Sequence, residues 1–250
     1  MALATEIKDW IKTYCKEHSI QQLVVGVSGG IDSAVVSTLC SMTGIPTLTL
    51  VLPIRQKQEQ TDLGVDHCIW LGNNYMNASF EMIDLTPVFE KFEDLFQFPK
   101  NELALANSRA RLRMMTLYQK AQTFGGIVVG TGNKVEDFGV GFYTKYGDGG
   151  VDISPIADLY KTEVWQLGRE LGIDQRIIDA QPTDGLWEDG RTDQDQLGGL
   201  SYEQMERAMK LDNLNALAVG PEVESLEKYR ELRAKNLHKM QPIPVFKHKR

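Results

Sequence analysis

One stretch of the sequence decides the fold: residues 23–39 read LVVGVSGGIDSAVVSTL. The apolar residues 23–27 are typical of a buried β-strand, and the apolar residues from Ala34 onward are typical of a buried helix. Two adjacent glycines join them in a tight turn, where the backbone can approach a ligand closely. The N–H groups of a first helical turn and the helix dipole attract anions. The stretch therefore predicts a binding site for a phosphate chain.

Asp32 is the unusual member of this turn, because a carboxylate repels a neighbouring phosphate. A Mg²⁺ ion between the two removes the repulsion, since Mg²⁺ binds one or two carboxylates together with phosphate oxygens. The simpler interpretation is a plain Ser28-Gly29-Gly30 turn in which Asp32 caps a helix. The sequence contains no G-x-x-x-x-G-K-[ST], and no G-x-G-x-x-G follows a strand. A Walker A loop and a Rossmann fingerprint are therefore excluded.

The composition limits the class of protein. The chain has 250 residues, which suit one α/β domain spanning 1–250. Its formal net charge of −7 argues against nucleic-acid binding through a generally basic surface. The N-terminus lacks the apolar core of a signal peptide, and no run of about 18 apolar residues predicts a membrane span. Three widely spaced cysteines without a C-x-x-C pattern are typical of reduced thiols. We expect a cytoplasmic protein without nucleic-acid or membrane partners.

The order of strands and helices predicts the architecture. Helical segments separate four apolar strands, at about 22–27, 47–52, 79–84 and 127–130. Continuous apolar strands that alternate with helices indicate an α/β fold with a doubly wound, mainly parallel sheet and helices on both faces.

The part of the chain after the sheet has a different texture. Residues 182–199 are polar, acidic and glycine-containing, and a loop of that length is usually functional or disordered. We interpret it as a mobile lid; an inert surface loop is the alternative. Two C-terminal helices are predicted within about 201–238, at 201–211 and 221–238.

A second chemical cluster follows the fourth strand, at Gly130-Thr131-Gly132-Asn133-Lys134-Val135-Glu136. Ligands of doubly wound sheets bind at the carboxyl ends of the strands, so Asp32 and Glu136 are expected at the same edge. Two carboxylates beside a phosphate turn suit a Mg²⁺ ion bound to a nucleoside triphosphate. Thr131 can donate a hydrogen bond to that nucleotide. The alternative for Glu136 is a solvated residue at a helix start.

Basic residues form a third group. Arg109 and Arg113 share one helix face and Arg111 points elsewhere, which on composition alone also fits a surface helix. Lys145 lies in a glycine-dense loop and is a candidate anion clamp. Lys161 begins a helix, an unfavourable place for a cation. Its position makes sense if a phosphate binds there.

With these motifs assembled, the chain resembles the ammonia-dependent NAD⁺ synthetases of the adenine nucleotide α-hydrolase-like, or N-type ATP pyrophosphatase, superfamily. SGGIDS alone specifies only the superfamily, whereas its combination with NSRARLRM, GTGNKVE, TKYGDGGVDISPIADLYK and PTDGLW is much more specific. The resemblance implies that ATP and Mg²⁺ activate the carboxylate of deamido-NAD⁺ as an adenylate, releasing diphosphate. Ammonia then attacks this adenylate, which gives NAD⁺ and AMP.

The resemblance also assigns roles to the matching residues. It implies ATP contacts for Gly26, Val27, Ser28, Gly29, Gly30, Ile31, Asp32, Ser33, Thr131, Lys161 and Thr183. It implies Mg²⁺ binding by Asp32 and Glu136, with Asp32 and Lys161 as the catalytic pair. It implies deamido-NAD⁺ contacts for Arg111, Lys145, Asp152, His238 and Lys239.

The resemblance further implies a homodimer, for which the helix at 101–122 is the candidate interface. The synthetase motif begins by residue 28, so we expect no built-in glutaminase domain and free ammonia as nitrogen donor. Two departures stand out: Val51 replaces an arginine of many relatives, for which Arg55 is a candidate substitute, and the segment from Glu136 to Lys145 is one residue longer than in some members. Two alternatives stay open, namely another adenylating enzyme of the superfamily, such as a tRNA-modifying one, and a non-catalytic nucleotide-binding protein.

Overall fold

A parallel sheet forms the centre of the structure, a computed structural model that describes residues 1–96, 101–183 and 192–248. Its strands are β1 (Gln22–Gly26), β2 (Thr47–Val51), β3 (Ala78–Met82) and β4 (Gly126–Val128). They lie in the order β3-β2-β1-β4, and each neighbouring pair is parallel. Because β1 and β4 are adjacent and parallel, their carboxyl ends lie side by side. The cluster that follows β1 and the cluster that follows β4 are therefore neighbours.

Helices connect and cover these strands. They are α1 (Ala2–Glu17), α2 (Ile31–Met42), α3 (Gln58–Asn74), α4 (Thr86–Glu93), α5 (Glu102–Thr123), α6 (Lys161–Glu170), α7 (Gln175–Asp179), α8 (Asp193–Gln196), α9 (Tyr202–Asn213) and α10 (Pro221–Met240). A π-helical turn, Glu136–Val140, lies between β4 and α6. No helix in the described residues is long and apolar enough to cross a bilayer.

Alternating side chains of β1 divide the core into two layers, as expected for an extended strand. Leu23 and Val25 pack with residues of α1, α2, α6 and α7. Val24 faces the other way and packs with residues of α4 and α5. The sheet is therefore covered on both faces, and the predicted fold class is confirmed. A third cluster joins α9 and α10 to the π-helical turn.

The predicted boundaries agree with the structure to within a few residues, and the exceptions have physical causes. The fourth strand ends at Val128 rather than at residue 130, because Val129 pairs instead with Ile153 in an isolated parallel bridge. The range predicted as a lid, 182–199, contains the short helix α8, followed by the buried Leu197. Residues 184–191 lie outside the described part of the chain, so the lid stays a prediction.

The three cysteines are thiols without a disulfide partner, and all three are buried. Cys15 and Cys40 belong to the core between α1 and α2, whereas Cys68 of α3 packs beside Val27 and Val51. Burial raises the pKa of each thiol, to about 11 for Cys68. Protonated buried thiols act as small apolar side chains.

A buried histidine predicts how stability depends on pH. His67 on α3 is buried, its Nε2 lies 3.0 Å from Ser37 Oγ, and burial lowers its pKa to about 4. The unfolded chain binds a proton here near pH 6.5, whereas the folded chain does not until about pH 4. Burial of neutral His67 therefore leaves stability unaffected above about pH 6.5. Below that pH the unfolded state gains a proton that the folded state lacks, so the free energy of unfolding falls by about 1.4 kcal/mol per pH unit down to about pH 4.

Urea unfolding measured from pH 8 to pH 4 checks this expectation. The His67→Gln variant should lose less stability over the acidic half of the range than the parent chain. The exposed His18 provides the matched control, because His18→Gln leaves the buried group in place. Equal pH slopes for the His67→Gln variant and the parent would contradict the assignment.

Candidate active site

The turn between β1 and α2 is preorganised by its own serines. Ser28 N–H donates to Ser33 Oγ at 3.2 Å, Gly30 N–H donates to Ser28 Oγ at 3.3 Å, and Ser33 Oγ donates to the Gly30 carbonyl at 2.9 Å. Gly29 has a φ of +86°, a conformation that glycine adopts without strain. No side chain among the described residues caps the N-terminus of α2. The N–H groups of its first turn are therefore available to an anion.

Lys161 joins the two sheet-edge carboxylates. Its ammonium nitrogen lies 2.5 Å from Asp32 Oδ2 and 3.0 Å from Glu136 Oε1. The lysine side chain is only 2 % exposed, and the two carboxylates are 19 % and 13 % exposed. The structure thus brings together Asp32 and Glu136, which the sequence placed at one edge, and adds Lys161 to them; the roles of all three toward ATP and Mg²⁺ stay predictions.

The charges of this cluster control one another. Burial disfavours the charged form of Lys161, but Asp32 and Glu136 outweigh it and hold the lysine pKa above its ordinary value. Burial also disfavours ionised Glu136, yet Lys161 and Tyr202 keep its pKa below the ordinary value. For Asp32 burial prevails, so its pKa is raised, because one ammonium is shared between two carboxylates. One more positive charge would therefore stabilise the pair.

The structure supplies a protein carboxylate at the helix end where the sequence argument placed a phosphate, and the contact of Lys161 with phosphate stays a prediction. Glu206 of α9 accepts hydrogen bonds from Thr162 N–H at 3.0 Å and from Thr162 Oγ1 at 2.8 Å. A carboxylate at a helix N-terminus complements the dipole. Lys161 also has Asp32 and Glu136 beside it, so three protein carboxylates compensate the cation and the helix end without a phosphate.

Asn133 fixes the geometry of the carboxylate pair from the other side. Its side-chain amide donates to Asp32 Oδ1 at 3.2 Å, while its Oδ1 accepts the N–H groups of Val135 and Glu136 at 3.0 Å each. Asn133 is fully buried. One side chain therefore ties the strand-end loop that carries Glu136 to the first turn of α2.

A π-helical turn lies in the segment from Glu136 to Lys145. The Val140 N–H donates to the Val135 carbonyl at 3.1 Å, which is the i to i+5 spacing of a π-helix. Single π-helical turns are frequent at functional sites. The turn carries Asp137 to the Gly132 backbone. Burial and the nearby Asp148, Glu136 and Asp32 raise the pKa of Asp137 well above its ordinary value.

One residue predicted to bind deamido-NAD⁺ lines an open cavity of about 420 Å³, and two others contact residues of its lining. Arg111 lines it, and Arg111 Nε donates to the Lys145 carbonyl at 3.2 Å. Tyr118 also lines it and hydrogen bonds with Asp152. Asp152 in turn accepts the Val128 N–H at 2.8 Å. The three arginines separate as predicted, since Arg113 Nε donates to the Leu52 carbonyl instead.

The remaining predicted site residues are less closely grouped. Lys239 Nζ donates to the Tyr143 carbonyl at 2.7 Å, whereas the preceding His238 is exposed near the end of α10. Thr131 follows β4 at the sheet edge, and the exposed Thr183 borders the undescribed residues 184–191.

Arg55, the candidate substitute for a family arginine, has local partners. Its Nη2 lies 2.9 Å from Glu93 Oε2 and 3.4 Å from Glu90 Oε1, both on α4. Its guanidinium also lies 5.7 Å from the centre of the Phe89 ring. The structure therefore pairs Arg55 with α4.

Comparisons with known proteins identify the family of this chain. The family model described as NAD synthase matches residues 3–250.

The chain belongs to the NAD synthase family.

A relative from Alkaliphilus metalliredigens, an NH(3)-dependent NAD(+) synthetase, is 41% identical over 204 residues, which cover 79% of this chain and 81% of the relative. The NMN synthetase structure from Francisella tularensis superposes with a TM-score of 0.87 at 32% identity and covers 99% of this chain and 98% of that one. An NH3-dependent NAD synthetase from Campylobacter jejuni has the same fold, with a TM-score of 0.81 at 24% identity and 98% coverage of both chains.

Membership of the NAD synthase family confirms the resemblance drawn from the motifs. It also confirms the predicted enzyme class, an ATP-dependent ligase of NAD⁺ biosynthesis that uses ammonia. It favours this enzyme over the tRNA-modifying and non-catalytic alternatives.

Sequence reasoning missed Asn133, Tyr202 and Glu206. Asn133 stands inside the quoted GTGNKVE motif, so its position was a usable signal. Tyr202 donates a 2.6 Å hydrogen bond to Glu136 Oε1, and Glu206 binds the start of α6. Both residues lie on α9, far from the motif in sequence, and periodicity gave no sign of their partners.

Proposed function

We propose that the chain converts deamido-NAD⁺, ATP and ammonia into NAD⁺, AMP and diphosphate, with Asp32, Glu136 and Lys161 at the reacting phosphates. The observation that carries the proposal is the position of Lys161 between two carboxylates, beside a preorganised anion-binding turn. A buried cation and two carboxylates at a phosphate turn suit nucleotidyl transfer, in which positioning and electrostatics do most of the work.

The residues present fit a Mg²⁺ ion. Asp32 Oδ2 and Glu136 Oε1 both lie within 3.0 Å of one ammonium nitrogen, and burial together with the neighbouring Glu136 raises the pKa of Asp32. No group of three or more metal-binding side chains occurs in the described part of the chain. Mg²⁺ needs only one or two carboxylates when phosphates supply the other oxygens. When bound, Mg²⁺ neutralises charge on the triphosphate.

The chain's own groups account for the first step. The N–H groups at the start of α2 hold phosphate oxygens, and the Lys161 ammonium, held between Asp32 and Glu136, stabilises the negative charge that the departing diphosphate gains. The nicotinate carboxylate attacks the α-phosphorus, and the bond to the β-phosphate oxygen breaks. Arg111 and Lys145, beside the cavity, orient the dinucleotide for this attack.

The second step exchanges nitrogen for AMP. The ammonia nitrogen attacks the acyl carbon, the acyl–oxygen bond to AMP breaks, and the nitrogen loses a proton to give the amide. AMP leaves readily, whereas an oxide ion would not, which explains why ATP is consumed.

An assay of NAD⁺ formation tests the proposal. Purified protein receives deamido-NAD⁺, ATP and Mg²⁺, with ammonium and glutamine supplied in separate reactions. Product with ammonium alone is expected. Product with glutamine in a pure preparation contradicts the assignment of free ammonia as nitrogen donor, and no product with either contradicts the proposed reaction.

A second candidate substrate is nicotinic acid mononucleotide. The observation that favours it is the 0.87 TM-score to a protein named NMN synthetase, with 98% of that chain covered. Both substrates carry the same nicotinate carboxylate and ribose phosphate, so the activation chemistry is shared. The same assay run with the mononucleotide decides between them: a higher kcat/KM for the mononucleotide would make NMN the main product.

We infer a homodimer from exposed apolar surface. The large side chains on or beside α4 and α5 that are at least 40 % exposed include Phe92, Leu95, Phe96, Leu103 and Met115. Phe92 and Phe96 contact each other, with ring centres 5.0 Å apart, and exposed apolar patches mark interaction surfaces. Met115 also lines the substrate cavity, so a second copy would close it. Light scattering that gives the mass of one chain would overturn this inference.

A cytoplasmic location completes the proposal. Its support is the set of three buried thiols without disulfide partners, which suits a reducing compartment.

A further inference from the structure

Tyr202 occupies a position that the proposed chemistry does not by itself explain. It is the first residue of α9 and is 7 % exposed. Its hydroxyl donates to Glu136 Oε1 at 2.6 Å, the same oxygen that accepts Lys161 Nζ at 3.0 Å. One carboxylate oxygen therefore receives two donors from two different helices.

The ring of Tyr202 is as constrained as its hydroxyl. It packs edge-to-face on Trp165, with ring centres 5.4 Å apart and an interplanar angle of 88°. The ammonium of Lys161 lies 5.2 Å from the centre of the tyrosine ring. Lys161 and Trp165 are four residues apart on α6 and so lie on one face of that helix. Tyr202 covers this face and leaves the lysine little freedom to turn away from the carboxylates.

The start of α9 is itself fixed. Ser201 accepts the N–H of Gln204 at 3.3 Å, while Gln204 Oε1 accepts the Ser201 N–H at 2.9 Å, a reciprocal capping box. One turn after Tyr202, Glu206 binds both the N–H and the hydroxyl of Thr162, next to Lys161. Two contacts one helical turn apart thus attach α9 to the first turn of α6.

We propose that Tyr202 is a positioning residue for the ligase reaction, holding the Glu136 carboxylate for the metal and the Lys161 ammonium for the departing diphosphate. The inference rests on the proposed function and deepens it. It implies that the C-terminal helices, which pack with the π-helical turn, set the geometry of the sheet-edge site. Residues that orient metal-binding carboxylates typically change metal affinity or activity by about 10- to 100-fold when they are replaced.

The Tyr202→Phe variant tests the proposal, because it removes the hydroxyl and keeps the ring on Trp165. We expect kcat for NAD⁺ formation to fall by about 10- to 100-fold, with KM for ammonium unchanged. We also expect the dissociation constant of Mn²⁺, measured by electron paramagnetic resonance with a non-hydrolysable ATP analogue, to rise by a similar factor. Tyr229→Phe is the matched control, since Tyr229 is also buried but packs between α9 and α10.

A double-mutant cycle separates positioning from general loss of structure. If Tyr202 acts through Glu136, the Mn²⁺ affinity of Glu136→Gln should not fall further when Tyr202→Phe is added. Parental kcat and Mn²⁺ affinity in Tyr202→Phe would overturn the proposal. So would additive losses in the cycle, or equal losses in Tyr229→Phe. If the parent makes no NAD⁺, the proposed reaction fails, and the Mn²⁺ measurements still decide the role of Tyr202.

Discussion

Replacing Asp32 with asparagine should abolish most turnover while the protein stays folded. The change preserves shape but removes the charge that lies 2.5 Å from Lys161 and faces the phosphate turn. Without it, the proposed metal loses one of two carboxylate ligands and the lysine turns toward Glu136. We expect kcat to fall on the order of 10³-fold, the scale seen when a single preorganised charge-stabilising group is lost.

Steady-state kinetics and urea unfolding together check this expectation. Asp158→Asn is the matched control, because Asp158 also pairs with a lysine, Lys134, but is 94 % exposed. Exposed ion pairs contribute little, so the control should keep parental activity and stability. An Asp32→Asn variant that makes NAD⁺ at the parental rate would remove Asp32 from the mechanism. Unfolding of that variant would instead assign the carboxylate a structural role.

Replacing Gly29 with alanine should destabilise the fold strongly, for two separate reasons. Its φ of +86° costs an alanine about 1–2 kcal/mol. The new Cβ would lie 2.5 Å from the Gln60 carbonyl oxygen and 3.2 Å from Gly64 N, both backbone atoms of α3. Such overpacking adds about 1–3 kcal/mol. We expect a total loss of about 3 kcal/mol in the free energy of unfolding.

Gly44 separates the two causes. It has a φ of +77°, and a Cβ added there would meet no atom within 4 Å, so Gly44→Ala carries the conformational cost alone. Urea unfolding should therefore show a loss about 2 kcal/mol smaller for Gly44→Ala than for Gly29→Ala. ATP binding, measured by calorimetry, should weaken only in Gly29→Ala. Equal losses in the two variants would show that α3 yields to the extra methyl group.

The sequence predicted the parts of the site that follow from chain topology. Strand, glycine turn and helix are local patterns, and parallel pairing of β1 with β4 then brings Asp32 and Glu136 to one edge. No further information was needed for that convergence, because carboxyl ends of parallel strands always share an edge.

The contacts made by α9 lay beyond sequence reasoning. The bond from Tyr202 to Glu136 spans 66 residues, and that from Thr162 to Glu206 spans 44. Helical periodicity identifies which face is buried but not which helix covers it. The same limit applies to Lys161, whose cation has protein partners on the β1–α2, β4–α6 and α9 sides that only the packed structure reveals.

The Asp32–Lys161 contact also has a consequence for biosynthesis, since its two residues are 129 positions apart. At about 5–20 residues per second, roughly ten seconds separate their synthesis on the ribosome. During that interval the nascent sheet edge carries carboxylates without their ammonium, and water must solvate them. The sheet edge therefore gains its ammonium only after α6 has emerged, whereas the serines that shape the phosphate turn lie within the turn itself and need no later residue.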